Sequence, residues 1–160
     1  MENRNVRWGI LSTAEIATKV VAGFHDAANA EVVAVASRAL DKAQAWANAH
    51  NVPRAYGSYD ELLADDTIDA VYIPLPSALR NEWIAKAARA GKHVYAEKPF
   101  ADGIEEAIQI CRDQGVQFVD GTMWVHSTRT HDIEARIANG DIGAIRRVTA
   151  AFTFKASDKA

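Results

Sequence analysis

Short apolar runs alternate with helical patterns along nearly the whole chain, and this alternation constrains the fold more than any other feature. VRWGIL, EVVAVAS, AVYIPLP, HVYAE and VQFVD are β-branched or aromatic and short, while the stretches between them space apolar residues as a helix does. Strands separated by helices return to the same end of a sheet, so the expectation is an α/β, doubly wound, mostly parallel sheet. A weaker strand around RAYG and a helix YDELLA fit between EVVAVAS and AVYIPLP. Gly91 in AARAGKHVY and Gly115 in RDQGVQF stand where a helix needs a left-handed C-terminal cap.

The pattern changes after Asp120. GTMWVHSTR reads as a loop, THDIEARIANG as an amphipathic helix ending at Gly140, and AIRRVTAAFTF as a partly alternating strand before the polar KASDKA. Residues 1–121 therefore form one domain. Residues 122–160 are expected to supply a linker, a helix and the first strand of an incomplete second α/β domain. An unpartnered strand of that kind would stay disordered, pack back on the first domain, or pair with another copy of the chain, making a homo-oligomer.

With 160 residues, 49% hydrophobic and 24% charged, the chain can bury one sizeable core. A net charge of -3 provides no electrostatic pull toward nucleic acid or an anionic membrane. The single cysteine, Cys111, rules out an internal disulfide framework and suits core packing in a reducing compartment. No apolar run approaches the roughly 20 residues of a membrane span, and MENRNVRWGI does not read as a signal peptide, so a cytoplasmic protein is expected.

GILSTAEIA sits where a dinucleotide-binding fold places its phosphate turn, with Ser12, Ala14 and Ala17 at the positions usually held by glycine. Pyrophosphate at such a turn is held by backbone N–H groups and the positive end of the helix. Serine and alanine are the next smallest residues, so Ser12 and Ala14 keep that approach open, Ser12 or Thr13 adds a hydroxyl donor, and Ala17 permits tight packing of helix on strand. The same stretch also suits a plain strand-to-helix turn. Where an enzyme preferring NAD has an acidic residue at the end of the second strand, this chain has SRALDK. Ser37 can donate to a 2′-phosphate, Arg38 can pair with it and cover adenine, and Lys42 lies one turn on, which points to NADP(H). A solvated basic loop is the alternative.

HVYAEKPF ends the fifth strand, where open α/β sheets place reactive groups. Pro99 keeps Lys98 out of a helix, so its amine can reach a hydroxyl being oxidised, with Glu97 to orient it. A surface Glu-Lys pair before a helix is the alternative. The five histidines do not suggest a metal: His126 and His131 are not four apart, and no cysteine or acidic cluster joins them. Tyr95 and Lys98 fail the YxxxK spacing of short-chain dehydrogenases. Trp8, Trp46 and Trp83 read as structural, and Glu105 with Glu106 as a charged first helical turn.

GILSTAEIA, SRALDKAQAWA, YDELLADDTIDAVYIPLPSALRNEW, AGKHVYAEKPFA and GDIGAIRRVTAAFTF together resemble the glucose-fructose oxidoreductase, inositol dehydrogenase and MocA family over almost the whole chain. The resemblance implies a Rossmann domain, a catalytic Lys98 beside nicotinamide and substrate, and a sugar, polyol or related substrate. It places cofactor contacts on Ser12 to Ile16, Ser37, Arg38, Lys42, Leu75, Pro76, Ser77 and Glu97, and further ones on Trp124 and Arg129; the SRALDK strand end makes NADP(H) the preferred cofactor, with NAD(H) the other option. Departures accompany it. Arg80 stands where the family often has histidine, and Val125 and Thr128 replace polar or rigid residues. The family continues into a domain that supplies an aspartate and a histidine to the substrate, of which AIRRVTAAFTF matches only the opening strand. A nucleotide-binding module without its own turnover is the second reading.

Overall fold

The structure is a computed structural model describing residues 5–151 and 153. It divides into two compact units, Met1–Gly121 and Thr122–Ala160. The first contains six strands: β1 (Val6–Leu11), β2 (Ala30–Ala36), β3 (Arg54–Tyr56), β4 (Ala70–Ile73), β5 (His93–Ala96) and β6 (Phe118–Asp120). They form one sheet in the order β3-β2-β1-β4-β5-β6, and every neighbouring pair is parallel. The chain starts in the middle and winds outward in both directions. The crossover from β3 to β4 sets β4 beside β1 and reverses the winding, which opens a crevice beyond the carboxyl ends of β1 and β4.

Helices α1 (Glu15–Asp26) and α2 (Leu40–Ala49) cover one face. Ala17, Val21 and Phe24 of α1 and Trp46 and Ala47 of α2 pack there on Ile10, Val32, Val35 and Tyr72. Helices α3 (Tyr59–Leu63), α4 (Ser77–Arg89) and α5 (Ile104–Asp113) cover the other face. Their Leu62, Ile84, Ala88 and Cys111 meet Leu11, Val33, Val71 and Val94. Burial of each large aliphatic side chain contributes about 1.5–3 kcal/mol, which anchors the strand ends that carry the loops. Cys111 belongs to this core, and burial pushes its thiol pKa up, away from reactivity. Trp46 is buried with its indole N–H on Thr18 Oγ1 at 3.0 Å; Trp8 and Trp83 are half-buried against Phe24 and Tyr59. Tyr95 stacks on Tyr72 at 5.0 Å, a packing role. Gly91 and Gly115 adopt left-handed φ values of 72° and 67°, as a C-terminal cap requires.

The β3 edge is stitched by one carboxylate. Asp65 pairs with Arg54 at 2.7 Å and accepts from Tyr56 Oη at 2.7 Å and from the Thr67 hydroxyl at 2.6 Å. Burial alone would push its pKa up. The hydrogen bonds from Thr67 and Tyr56 and the Arg54 charge overcome that and hold it at about 2.

The second unit opens with a 3-10 turn, Met123–His126, followed by α6 (Thr128–Ala138). GTMWVHSTR is thus not the simple loop expected. Ser127 caps α6 by accepting from the Thr130 N–H, so the helix starts two residues before the expected THDIEARIANG. Gly140 follows it at φ 78°, as expected for its end. The strand expected over AIRRVTAAFTF is not formed among the described residues, where Ala144–Ala151 carry no strand pairing. Backbone groups pair as a strand only against another strand, and no such partner is described here. Phe152 and Phe154 of that stretch, with KASDKA, lie outside the described residues.

Candidate functional site

The register of the sheet brings four strand ends level. Leu11 pairs with Ala36, Ile10 with Tyr72, and Ile73 with Ala96, so the turns after β1, β2, β4 and β5 edge the crevice together. These turns carry Ser12–Ile16, Ser37 and Arg38, Leu75–Ser77, and Glu97 with Lys98.

After β1, Ser12 adopts φ 140°, a conformation that favours glycine. This backbone demand explains why glycine is usual at this turn. Ser12 meets it with partial compensation, since its hydroxyl accepts the Ala14 N–H at 3.1 Å. Ala14 is the N-cap of α1 and no side chain caps this helix end, while the Ala17 N–H donates to the Ala14 carbonyl at 2.9 Å. Ala17 is buried where helix and strand touch.

After β2, Ser37 is buried and its N–H donates to the Tyr56 carbonyl at 3.1 Å, which ties this turn to the Asp65-stitched edge. Arg38 is exposed, and so is Lys42 in the first turn of α2. Asp41 is the one carboxylate in SRALDKA, so the loop is basic without being uniformly so.

The turns after β4 and β5 are tied together by buried polar contacts. Tyr72 Oη donates to Glu97 Oε1 at 2.8 Å, and burial together with the Glu97 charge pushes the Tyr72 pKa up. Glu97 is therefore held by Tyr72 rather than aimed at Lys98, and no Glu97–Lys98 ion pair is present among the described residues. Gly121 follows β6 under this turn: a Cβ there would lie 3.1 Å from the Ala96 carbonyl oxygen and 3.3 Å from Glu97 Cα. Only glycine lets the backbones approach so closely. Lys98 is exposed at the strand tip, as its place before Pro99 implied. Leu75 is buried, while Pro76 is exposed as the N-cap of α4 and Ser77 is half-buried as its first residue.

Arg80 is the residue whose part was missed. Sequence reading noted it only as a departure from histidine, yet it is 4% exposed and donates to the carbonyls of both Leu75 and Pro99. Burial lowers its pKa, and the Glu97 charge opposes that shift. An arginine in the first turns of a polar helix gives no local signal of burial. Trp124 is 64% exposed in the 3-10 turn and Arg129 is exposed on α6. Both belong to the second unit.

Residues 6–121 match the family described as an oxidoreductase family with an NAD-binding Rossmann fold. An uncharacterized oxidoreductase of Rhizobium meliloti is 45% identical over 152 residues, covering 92% of this chain and 46% of its own. A D-xylose 1-dehydrogenase (NADP(+)) of Haloferax volcanii is 40% identical over 159 residues, covering 96% of this chain and 48% of its own. Among solved structures, a 3-ketoreductase from Actinomadura kijaniata in complex with NADP and TDP-benzene superimposes with a TM-score of 0.82 at 34% identity. That match covers 89% of this chain and 45% of the ketoreductase. The chain spans about half the length of the curated relatives it matches.

Proposed function

The chain belongs to the oxidoreductase family with an NAD-binding Rossmann fold, and from that premise we propose that it is the NADP(H)-binding domain of an enzyme oxidising or reducing a sugar, polyol or related alcohol or carbonyl compound. The observation that carries the cofactor choice is the end of β2. It offers Ser37, Arg38 and Lys42 where a carboxylate would repel a 2′-phosphate. The relatives named for NADP, one of them also for D-xylose, support the same reading.

The residues present fit a dinucleotide. The glycine-like Ser12 turn and the α1 N-terminus suit the pyrophosphate, with Thr13, Glu15 and Ile16 at the first turn. Arg38 would pair with the 2′-phosphate and cover adenine, while Ser37 and Lys42 would add a donor and a charge. Leu75, Pro76, Ser77 and Glu97 would border the nicotinamide side. When bound, the cofactor supplies or accepts hydride at its nicotinamide ring. Lys98 then hydrogen bonds to the substrate oxygen and takes or returns its proton. The buried free thiol of Cys111 suits a reducing cytoplasm.

A nucleotide-binding module without its own turnover is the second reading, because the exposed cations Arg38 and Lys42 can hold a nucleotide whether or not a reaction follows. The two readings separate in one pair of assays. Fluorescence titration should show NADPH binding to this chain, with sugars and polyols left unreacted. In a chain carrying both domains, Lys98→Met should lower turnover by about two or more orders of magnitude and leave NADPH affinity within about threefold. Undiminished turnover would leave Lys98 an exposed surface lysine with no part in the reaction.

A further inference from the structure

We propose that Arg80 and Asn81 of α4 form a clasp that positions the Lys98 turn against the turn after β4, and that Arg80 is its principal positioning residue. Arg80 Nη1 donates to the Pro99 carbonyl and Nη2 to the Leu75 carbonyl, so one guanidinium joins two loops from neighbouring strands. Its Cζ lies 5.9 Å from the centre of the Phe100 ring. The next residue continues the strap: Asn81 Nδ2 donates to the Asp102 carbonyl at 3.0 Å and reaches the Ala101 carbonyl at 3.4 Å. The segment from Pro99 to Asp102 is thereby fastened to α4 at the carbonyls of Pro99, Ala101 and Asp102, immediately after Lys98.

Packing alone does not account for an arginine here. The guanidinium is buried, makes no ion pair among the described residues, and leaves Nε without a hydrogen-bond partner. An apolar side chain of similar length would fill the space without the cost of burying a charge. What the guanidinium adds is a rigid fork whose donors reach two carbonyls at once. A flexible turn would let Lys98 wander; the clasp holds its backbone next to the Leu75–Ser77 turn.

This inference rests on the NADP(H) reading above, so the test uses two ligands. NADPH spans both ends of the crevice, whereas adenosine 2′,5′-bisphosphate occupies only the end carrying Ser37, Arg38 and Lys42. In the 160-residue chain, Arg80→Met should weaken NADPH about tenfold and adenosine 2′,5′-bisphosphate less than about twofold. Arg80→Lys, which keeps a charge and a donor, should restore part of the loss. Circular dichroism identifies any variant that fails to fold; in that event Asn81→Ala, at a half-exposed position, should give the same selective loss at about threefold. Equal weakening of both ligands, or of neither, overturns the clasp. Wild-type chain that binds neither ligand overturns the cofactor reading and the clasp with it.

Discussion

Arg38 and Lys42 stand in water at the end of β2, whereas the ends of β4 and β5 are held by buried contacts among Tyr72, Glu97, Arg80 and the Pro99 and Leu75 carbonyls. The first end is two exposed cations on a scaffold stitched elsewhere, by Asp65 and by the Ser37–Tyr56 backbone bond. The second end is its own scaffold. Changes to Arg38 and Lys42 at the β2 end should therefore alter binding and spare folding, while changes to the buried contacts that hold the β5 end should reach the fold as well.

The sharpest break of that contrast is at Gly121. A valine there meets the backbone of Ala96 and Glu97, which cannot rotate aside, so Gly121→Val should cost about 3 kcal/mol of stability by urea denaturation. A full-strength fold in that variant would show that the β5 end is softer than its contacts imply.

Asp65 tests the scaffold beneath the β2 end by pH. Its pKa is lower folded, at about 2, than unfolded, near the ordinary 3.8. The ionised form is thus favoured by folding, and its contribution is fully present above the unfolded pKa. It is lost as pH falls from about 4 through about 2, removing about 2 kcal/mol. Asp65→Asn should abolish that acid-dependent portion in thermal melts run between neutral and acid pH. An unchanged acid profile would place the proton linkage elsewhere.

Ser12 should give the smallest effect. Ser12→Gly relieves a positive φ and frees the Ala14 N–H, at the cost of a more flexible unfolded chain, so stability should change by less than about 1 kcal/mol. NADPH affinity, measured by fluorescence titration, should rise about twofold to threefold. A clear drop in affinity would mean that the serine hydroxyl itself serves the pyrophosphate.

How much of this was legible differs along the chain. The parallel sheet followed from apolar runs and capping glycines because strand and helix periodicities are local. Even the short β3 at RAYG was visible, between clear neighbours. At the proposed site, Arg38, Lys42 and Lys98 could be read from the sequence because exposed charges at strand ends need no long-range partner. Arg80 could not, since its burial depends on carbonyls five and nineteen residues away. Glu97 was expected beside Lys98 and is instead held by Tyr72, 25 positions earlier, a pairing that only sheet register creates. AIRRVTAAFTF was legible as an alternating pattern, yet its described residues form no strand, since a strand needs a partner that local pattern does not supply.

The central claim is that the end of β2 selects a 2′-phosphate. Paired fluorescence titrations of the wild-type chain and Arg38→Ala with NADPH and NADH address it most directly. NADPH should bind more tightly than NADH to the wild type, and Arg38→Ala should weaken NADPH alone by roughly 1–3 kcal/mol, the size of a charge-assisted contact. Equal affinities for the two dinucleotides in the wild type would contradict the account.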